Sequence, residues 1–302
     1  MPFSPPQGSE SFIQDVQLRT QHLVDTGIWD IPQERFTGWF QQFISQEEKF
    51  FGACLLDSLI YRSREQFLAC ATALYRGALR WQCGAQVPGN SDIDLLSFLK
   101  SPIDRKIRLI PVIGDDDPPT KSGPLVLRYI KRELRLDETW MDWPWKVERL
   151  VSSAAASVFI FVDDFLGSGE QFNSFVKSQK IPINAPATRW IYAPVVAHRR
   201  GIAGVQADFP NIEIVAAEYL DDSHDFFSTA TWDGLPSGSV TASDALDFYN
   251  EFLSRRGIDL QGNRPLGFNG LGLCFGFSHS TPDNALPILW VDNQSWSGLL
   301  KR

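Results

Sequence analysis

Residues 157–169 have the sequence Ser157-Val158-Phe159-Ile160-Phe161-Val162-Asp163-Asp164-Phe165-Leu166-Gly167-Ser168-Gly169. The apolar run before the two aspartates lacks polar alternation, which is typical of a parallel strand that is buried on both faces. Two glycines around a hydroxyl then indicate a tight turn, and we expect a helix to start near Gly169. The stretch therefore predicts a central strand over residues 157–162, followed by a turn at the N-terminus of a helix.

Similar short apolar runs lie on either side of this stretch. Residues 107–113, 190–196 and 212–217 predict further strands, and Pro111 favours an edge or irregular position for the first of them. We expect one helix after Gly123 and a helix of at most two turns over residues 202–209. Strands that alternate with helices indicate β-α-β units, so the predicted fold class is α/β with a parallel sheet.

The first hundred residues have helical patterns instead. Ile13, Val16 and Leu23 recur at helical spacing, and Ser45 and Ser63 each precede a Glu or Gln by three residues, as at many helix N-termini. Helices are therefore expected over the region of residues 13–24, from 45 to about 62, from 63 to about 81, and, after a break at residues 88–90, over 92–99.

The C-terminal region has a mixed pattern. Residues 241–255 predict an amphipathic helix with Ser243 as its cap, and residues 272–277 predict a late strand that returns to the sheet. We therefore expect three regions: an α-helical N-terminal module over 1–104, an α/β core over 105–235, and a C-terminal extension over 236–302 that packs on the core.

Composition and charge narrow the function classes. The formal net charge of -8 argues against broad attraction to nucleic acid or to an anionic membrane surface. No apolar run reaches about 18 residues, and residues 1–8 lack the basic and apolar parts of a signal peptide. We therefore expect a cytoplasmic protein with no membrane partner and no direct nucleic-acid contact.

The cysteines and histidines suggest neither disulfides nor a protein metal site. Cys54, Cys70, Cys83 and Cys274 include no C-x-x-C pair, which predicts reduced thiols. The four histidines are scattered without the spacing of metal ligands. We expect no metal held by protein side chains alone.

The strongest candidate site is the turn after the predicted central strand. In an open parallel sheet, ligands lie beyond the carboxyl ends of the strands. Backbone amides at a glycine turn and a helix N-terminus favour an anion, and two carboxylates suit the vicinal hydroxyls of a ribose. Asp163 and Asp164 are therefore the candidate catalytic residues. The candidate phosphate-binding residues are Gly167, Ser168, Gly169, Glu170 and Gln171. The alternative is an ordinary strand-turn-helix connection with a capping acid.

Residues 159–169 resemble the fingerprint of the type I phosphoribosyltransferases, in which an apolar strand is followed by two acidic residues, two apolar residues and a small-Thr-Gly turn. The chain looks most like a divergent bacterial group of phosphoribosyltransferase-like proteins from conflict and phage-defence gene neighbourhoods, including retron-associated ones. Lys121-Ser122-Gly123, residues 277–287 and residues 296–302 carry this narrower resemblance.

This resemblance implies a ligand, a cofactor and partners. The ligand is phosphoribosyl diphosphate or a nucleotide, and Lys121, Ser122 and Gly123 bind the diphosphate together with Mg²⁺. A protein partner encoded in the same operon is also expected. From the residues alone, the acidic run Asp115 to Asp117 is either a metal-binding loop or a solvated turn.

One departure from the fingerprint leaves the function open. Catalytic members place a small or hydroxyl residue after the turn, whereas Glu170 and Gln171 follow it here. Glu170 repels a 5-phosphate if it points inward, and it favours the helix dipole if it points to solvent. The readings are a phosphoribosyltransferase, a non-catalytic nucleotide-sensing or partner-binding subunit with a degenerate site, and an enzyme that cleaves ribose or nucleotide bonds with water.

Other residues have both a functional and a structural interpretation. His279 is a candidate acid or base or a structural histidine, and residues 198–200 either face the ligand or form a basic surface turn. The face of Arg128, Lys131 and Arg132 either reaches an anionic substrate or is solvated. The tryptophans of residues 140–145 form either a stacking wall or lid, or ordinary core and interface packing.

Overall fold

The computed structural model describes residues 3–79, 106–258 and 264–302. The chain divides into two compact units, one formed by Met1–Glu65 with Asp221–Arg302 and the other by Gln66–Leu220. Cys83, the predicted helix over 92–99 and the predicted boundary at residue 104 lie outside the described residues. The unit boundaries lie at residues 65 and 220.

The helices and strands alternate along most of the chain. In chain order they are α1 (Ser9–Asp25), α2 (Gln33–Gln41), α3 (Gln46–Asp57), β1 (Ile60–Arg62), α4 (Arg64–Arg76), β2 (Ile107–Pro111), α5 (Ser122–Leu134), α6 (Val147–Ser152), β3 (Val158–Leu166), α7 (Glu170–Ser178), β4 (Arg189–His198), α8 (Arg199–Asp208), β5 (Ile212–Ile214), β6 (Glu218–Leu220), α9 (Thr229–Gly234), α10 (Ala242–Arg255) and β7 (Phe275–Phe277). Short 3₁₀ turns include Glu138–Trp140 and Pro144–Lys146.

The main sheet lies in the second unit and is parallel, which confirms the predicted α/β class. Its order is β2-β3-β4-β5. β6 also pairs with β4, but with the C-terminal part of that strand, whereas β5 pairs with the N-terminal part. β3 is an interior strand, as predicted. Within the described part of the chain, β2 meets only an isolated bridge between Leu109 and Met141 on its other side, which agrees with the edge position predicted from Pro111.

The central strand of this sheet is longer than the sequence predicts. β3 continues past the aspartates to Leu166, because Phe165 and Leu166 extend the ladder opposite Val196 and Ala197. The acid pair thus lies inside the strand and not after it.

α8 also differs from its prediction. It begins directly after β4 and has ten residues, so the expected limit of two turns was wrong. The His198 Nδ1 atom accepts a bond from the Arg200 amide at 3.2 Å, and this cap allows the helix to start at Arg199, three residues before the predicted position near residue 202.

The first unit has a core rich in aromatic rings, drawn from both ends of the chain. Ser45 caps α3 by accepting a bond from the Glu48 amide, as predicted, but the helix ends at Asp57 because residues 60–62 form β1. Buried members from both segments include Trp39, Phe50, Phe51, Trp232, Leu235, Tyr249, Phe252 and Trp296. The two terminal segments therefore form one hydrophobic core.

Two C-terminal predictions need correction. β7 does not return to the main sheet: it pairs in parallel with β1 in a separate two-stranded sheet. α10 is capped by Thr241 and not by Ser243, because Thr241 and Asp244 form a reciprocal capping box.

A membrane span is not found in the described ranges, where every helix is too short or too polar to cross a bilayer.

Candidate functional site

The two aspartates of β3 are both buried, with 1% of Asp163 and 7% of Asp164 exposed. The two carboxyl groups lie close together, because the pKa of Asp163 responds both to the charge of Asp164 and to a hydrogen bond with the Asp164 side chain. Asp163 shares its face with Phe159 and Phe161, which belong to the hydrophobic cluster of the second unit.

Both oxygens of Asp163 accept hydrogen bonds from the protein. Ser122 Oγ donates to Oδ1 at 3.2 Å, the Asp164 amide donates to the same atom at 3.0 Å, and the Tyr192 hydroxyl donates to Oδ2 at 3.2 Å. Burial, followed by the charge of Asp164, raises the pKa of Asp163 well above its usual range. Asp163 thus links β3 to the first residue of α5 and to β4.

The Gly167 to Gly169 turn lies against α8. A Cβ atom added to Gly201 would lie 2.2 Å from the Gly167 carbonyl oxygen, and one added to Gly204 would lie 2.9 Å from the Ser168 carbonyl oxygen. Gly169, the N-cap of α7, has a φ of 90°, which favours glycine. The turn can approach the helix this closely because glycine occupies these positions.

This packing sets the direction of two backbone amides. The carbonyl groups of Gly167 and Ser168 point toward α8, and the peptide bonds of the described residues include no cis bond. In a trans peptide the following N–H points the opposite way, so the amides of Ser168 and Gly169 point away from α8. Within the described ranges, neither amide donates a hydrogen bond to the backbone.

The two residues after the turn point outward. Glu170 and Gln171 are both exposed, and they occupy the first turn of α7. An acidic side chain at this end of a helix interacts favourably with the helix dipole. This placement matches the solvent-facing alternative for Glu170.

The second candidate loop is largely tied to the protein itself. Lys121 Nζ donates to Asp117 Oδ1 at 2.8 Å, and Asp117 Oδ2 accepts from the Gly114 amide at 2.8 Å. Ser122 donates to Asp163, as described above. A Cβ atom on Gly123 would lie 2.5 Å from the Val112 carbonyl oxygen, so this glycine allows α5 to pack closely on the chain after β2.

Asp115 and Asp116 are the exposed acids of this loop. Within the described ranges, no group of three or more His, Cys, Asp or Glu side chains has the arrangement of a metal site. Mg²⁺ is commonly held by one or two carboxylates together with substrate phosphates and water. Asp115 and Asp116 are suitable donors of that kind.

The remaining candidates have structural surroundings. Lys131 forms an ion pair with Glu138, while Arg128 and Arg132 are exposed on α5. His198 is buried and caps α8. His279 belongs to the first unit, where its ring stacks on Phe277 at a centroid distance of 5.0 Å.

Sequence reasoning missed Tyr192 and the pair Gly201 and Gly204. Tyr192 lies within an apolar strand, where nothing in the sequence marks its hydroxyl as a partner of Asp163. The glycine pair did carry a signal, because glycine inside a helix costs stability and often marks a close backbone approach.

The comparison with family models gives one finding. The PRTase-CE model matches residues 36–302. No curated protein matches the chain.

Proposed function

The chain belongs to the PRTase-CE family and is a phosphoribosyltransferase-like protein, and on that basis we propose that it binds a ligand with a ribose 5-phosphate group. Phosphoribosyl diphosphate and nucleotides are the two ligand classes with that group. The Gly167 to Gly169 turn would hold the 5-phosphate, and Asp164 would accept bonds from the ribose hydroxyls.

One observation carries this proposal. The Ser168 and Gly169 amides point away from α8, at the end of the strand that contains Asp164. Convergent amides beside a helix N-terminus suit a phosphate, and a carboxylate suits sugar hydroxyls. Asp163 would act as a positioning residue, because its two oxygens already accept bonds from Ser122, Tyr192 and the Asp164 amide.

In a transferase reaction, the bond between C1 of the ribose and the diphosphate oxygen breaks, and the diphosphate leaves with the electron pair. A nucleophile supplies the electron pair for the new bond to C1. The chain's contribution would be to orient the sugar and exclude water. Mg²⁺, for which Asp115 and Asp116 would be the protein ligands, would neutralise charge on the leaving diphosphate.

A second candidate is a subunit that binds the nucleotide without transferring it. It is favoured by the internal bonds of Lys121 and Ser122, two residues for which diphosphate binding was expected. A diphosphate-release assay with phosphoribosyl diphosphate and Mg²⁺ separates the candidates. Diphosphate release above the level of an Asp164→Asn variant supports transfer or hydrolysis. Binding of phosphoribosyl diphosphate without diphosphate release supports the non-catalytic subunit.

We also propose a cytoplasmic role as an effector of a bacterial anti-phage system, with a protein partner from the same operon. The support for this role is the sequence resemblance alone. Plaque counts in a strain with the native operon test it, since Asp164→Asn should raise phage yield if the site serves defence. An unchanged yield in the Asp164→Asn strain would contradict the proposed role.

Calorimetry with ribose 5-phosphate tests the binding proposal. Asp164→Asn should weaken binding about tenfold or more, because a hydrogen bond to a charged group contributes about 1.5–3 kcal/mol. Asp163→Asn should have a smaller effect, and the exposed acid Asp233 provides the matched control Asp233→Asn. Equal affinity for wild type and Asp164→Asn would refute the site assignment.

A further inference from the structure

Two exposed tryptophans stand together on the surface of the second unit. Trp143 is 42% exposed and Trp145 is 55% exposed. Their rings stack with centroids 4.9 Å apart and planes 6° apart. Large exposed apolar side chains are uncommon in the described ranges, so two stacked ones form a distinct feature.

The stacked pair rests on a fixed support. Pro144, between the two tryptophans, is buried, and the Lys146 amide donates to the Trp143 carbonyl oxygen at 3.0 Å. The Asp142 carboxylate bonds Lys146 Nζ at 2.8 Å and lies 3.6 Å from Arg108 Nε. A ligand that stacks on these rings would therefore order few additional side chains.

The support places the pair along the edge of β2 that faces away from β3. Met141 forms a parallel bridge with Leu109, and the Asp142 amide donates to the Leu109 carbonyl oxygen at 3.1 Å. The chain thus runs in the direction of β2, toward the carboxyl edge of the sheet. β2 is the immediate neighbour of β3, which contains Asp164.

The chemistry of the surface favours a single aromatic base. Flat, parallel rings match a planar heterocycle, and base-aromatic stacking tolerates any base. The flanking charges are mixed, since Lys146 is paired with Asp142 while Glu148 and Arg149 are exposed. Together with the net charge of -8, this arrangement lacks the basic surface that a nucleic-acid strand or anionic membrane requires.

We propose that Trp143 and Trp145 form a stacking platform for the heteroaromatic base of a mononucleotide. The inference rests on the proposed function, because a nucleotide is one of the two ligand classes proposed for this chain. Two tryptophans are too small an area for a stable protein interface by themselves.

The test compares ligands with and without a base. Calorimetry with AMP, GMP, UMP and ribose 5-phosphate is carried out on wild type, on Trp143→Ala/Trp145→Ala, and on Trp143→Phe/Trp145→Phe. Leu18→Ala is the control, because Leu18 is an exposed apolar residue of the first unit. The alanine variant should weaken the tightest nucleotide about fivefold to 100-fold, as expected for the loss of a base-aromatic stack. Ribose 5-phosphate should bind it as before, and the phenylalanine variant should recover most of the affinity.

Other outcomes would overturn the platform. These are unchanged nucleotide affinity in the alanine variant, an equal loss for nucleotides and ribose 5-phosphate, or wild-type self-association that the alanine variant abolishes. If ribose 5-phosphate fails to bind wild type, the proposed function fails separately. Fluorescence quenching by adenosine, guanosine or uridine then decides: quenching that the alanine variant loses supports the platform, and its absence refutes it.

Discussion

Replacement of Gly201 by alanine tests whether the turn is seated on α8. The new Cβ atom would lie 2.2 Å from the Gly167 carbonyl oxygen and 3.0 Å from both the Gly167 carbonyl carbon and Leu166 Cδ1. An ordinary van der Waals contact between this Cβ atom and the Gly167 oxygen requires a distance about 1 Å longer than 2.2 Å. The turn and the helix must therefore move apart.

The size of the effect follows from two opposing contributions. Inside a helix, alanine stabilises the folded state by up to about 1 kcal/mol relative to glycine. Overpacking costs about 1–3 kcal/mol, so the net change should be a loss of stability. Because a displacement of about 1 Å disrupts a positioned binding group, affinity for ribose 5-phosphate should also fall about tenfold or more.

Two further glycines give a graded comparison. Gly204→Ala should cost less, because its Cβ atom would lie 2.9 Å from the Ser168 carbonyl oxygen. Gly38→Ala in α2 is the matched control: its Cβ atom would meet nothing within 4 Å, so it should stabilise the protein. Urea unfolding followed by tryptophan fluorescence gives the free energies of unfolding. A Gly201→Ala protein as stable as Gly38→Ala, with wild-type affinity, would refute the packing of the turn on α8.

Three other predictions concern titration, charge and thiols. Because the pKa of Asp163 is raised, its contribution to stability is full below about pH 4 and is lost as pH rises through the raised pKa. The melting temperature of Asp163→Asn relative to wild type should therefore increase with pH, and a constant difference would contradict this. Glu170→Thr should bind ribose 5-phosphate more tightly than wild type at low salt. This advantage should disappear at high salt, because salt screens an exposed charge. An effect that does not depend on salt would contradict the exposed placement of Glu170. Cys54 and Cys274 are free and buried. Alkylation without reductant should therefore spare these two cysteines in the native protein and modify all four cysteines after unfolding. A pair that stays unmodified after unfolding would reveal a disulfide.

The sheet was predictable because its signals are local. Uninterrupted apolar runs mark β3 and β4, and the glycine turn marks the start of α7. The bounds were less predictable, because the ladder between Phe165 and Val196 extends β3 past two aspartates. Sequence patterns do not show which partner strand will support such an extension.

The candidate site was only partly predictable, because its roles depend on contacts between distant residues. Asp163 and Asp164 are equivalent in sequence, and only the fold brings Ser122 and Tyr192 into hydrogen-bond contact with Asp163. The shared core of the terminal segments also depends on contacts between distant residues, since β1 pairs with a strand more than two hundred residues away. Long-range pairing of this kind leaves no mark within either segment.

The most direct test of the account is an amide NMR titration of isotope-labelled protein with ribose 5-phosphate. The account predicts that the Ser168 and Gly169 amide signals shift on addition of ribose 5-phosphate and of inorganic phosphate, but not on addition of ribose, because these amides point away from α8 and would donate to the phosphate. Unchanged Ser168 and Gly169 signals at ligand saturation would contradict it.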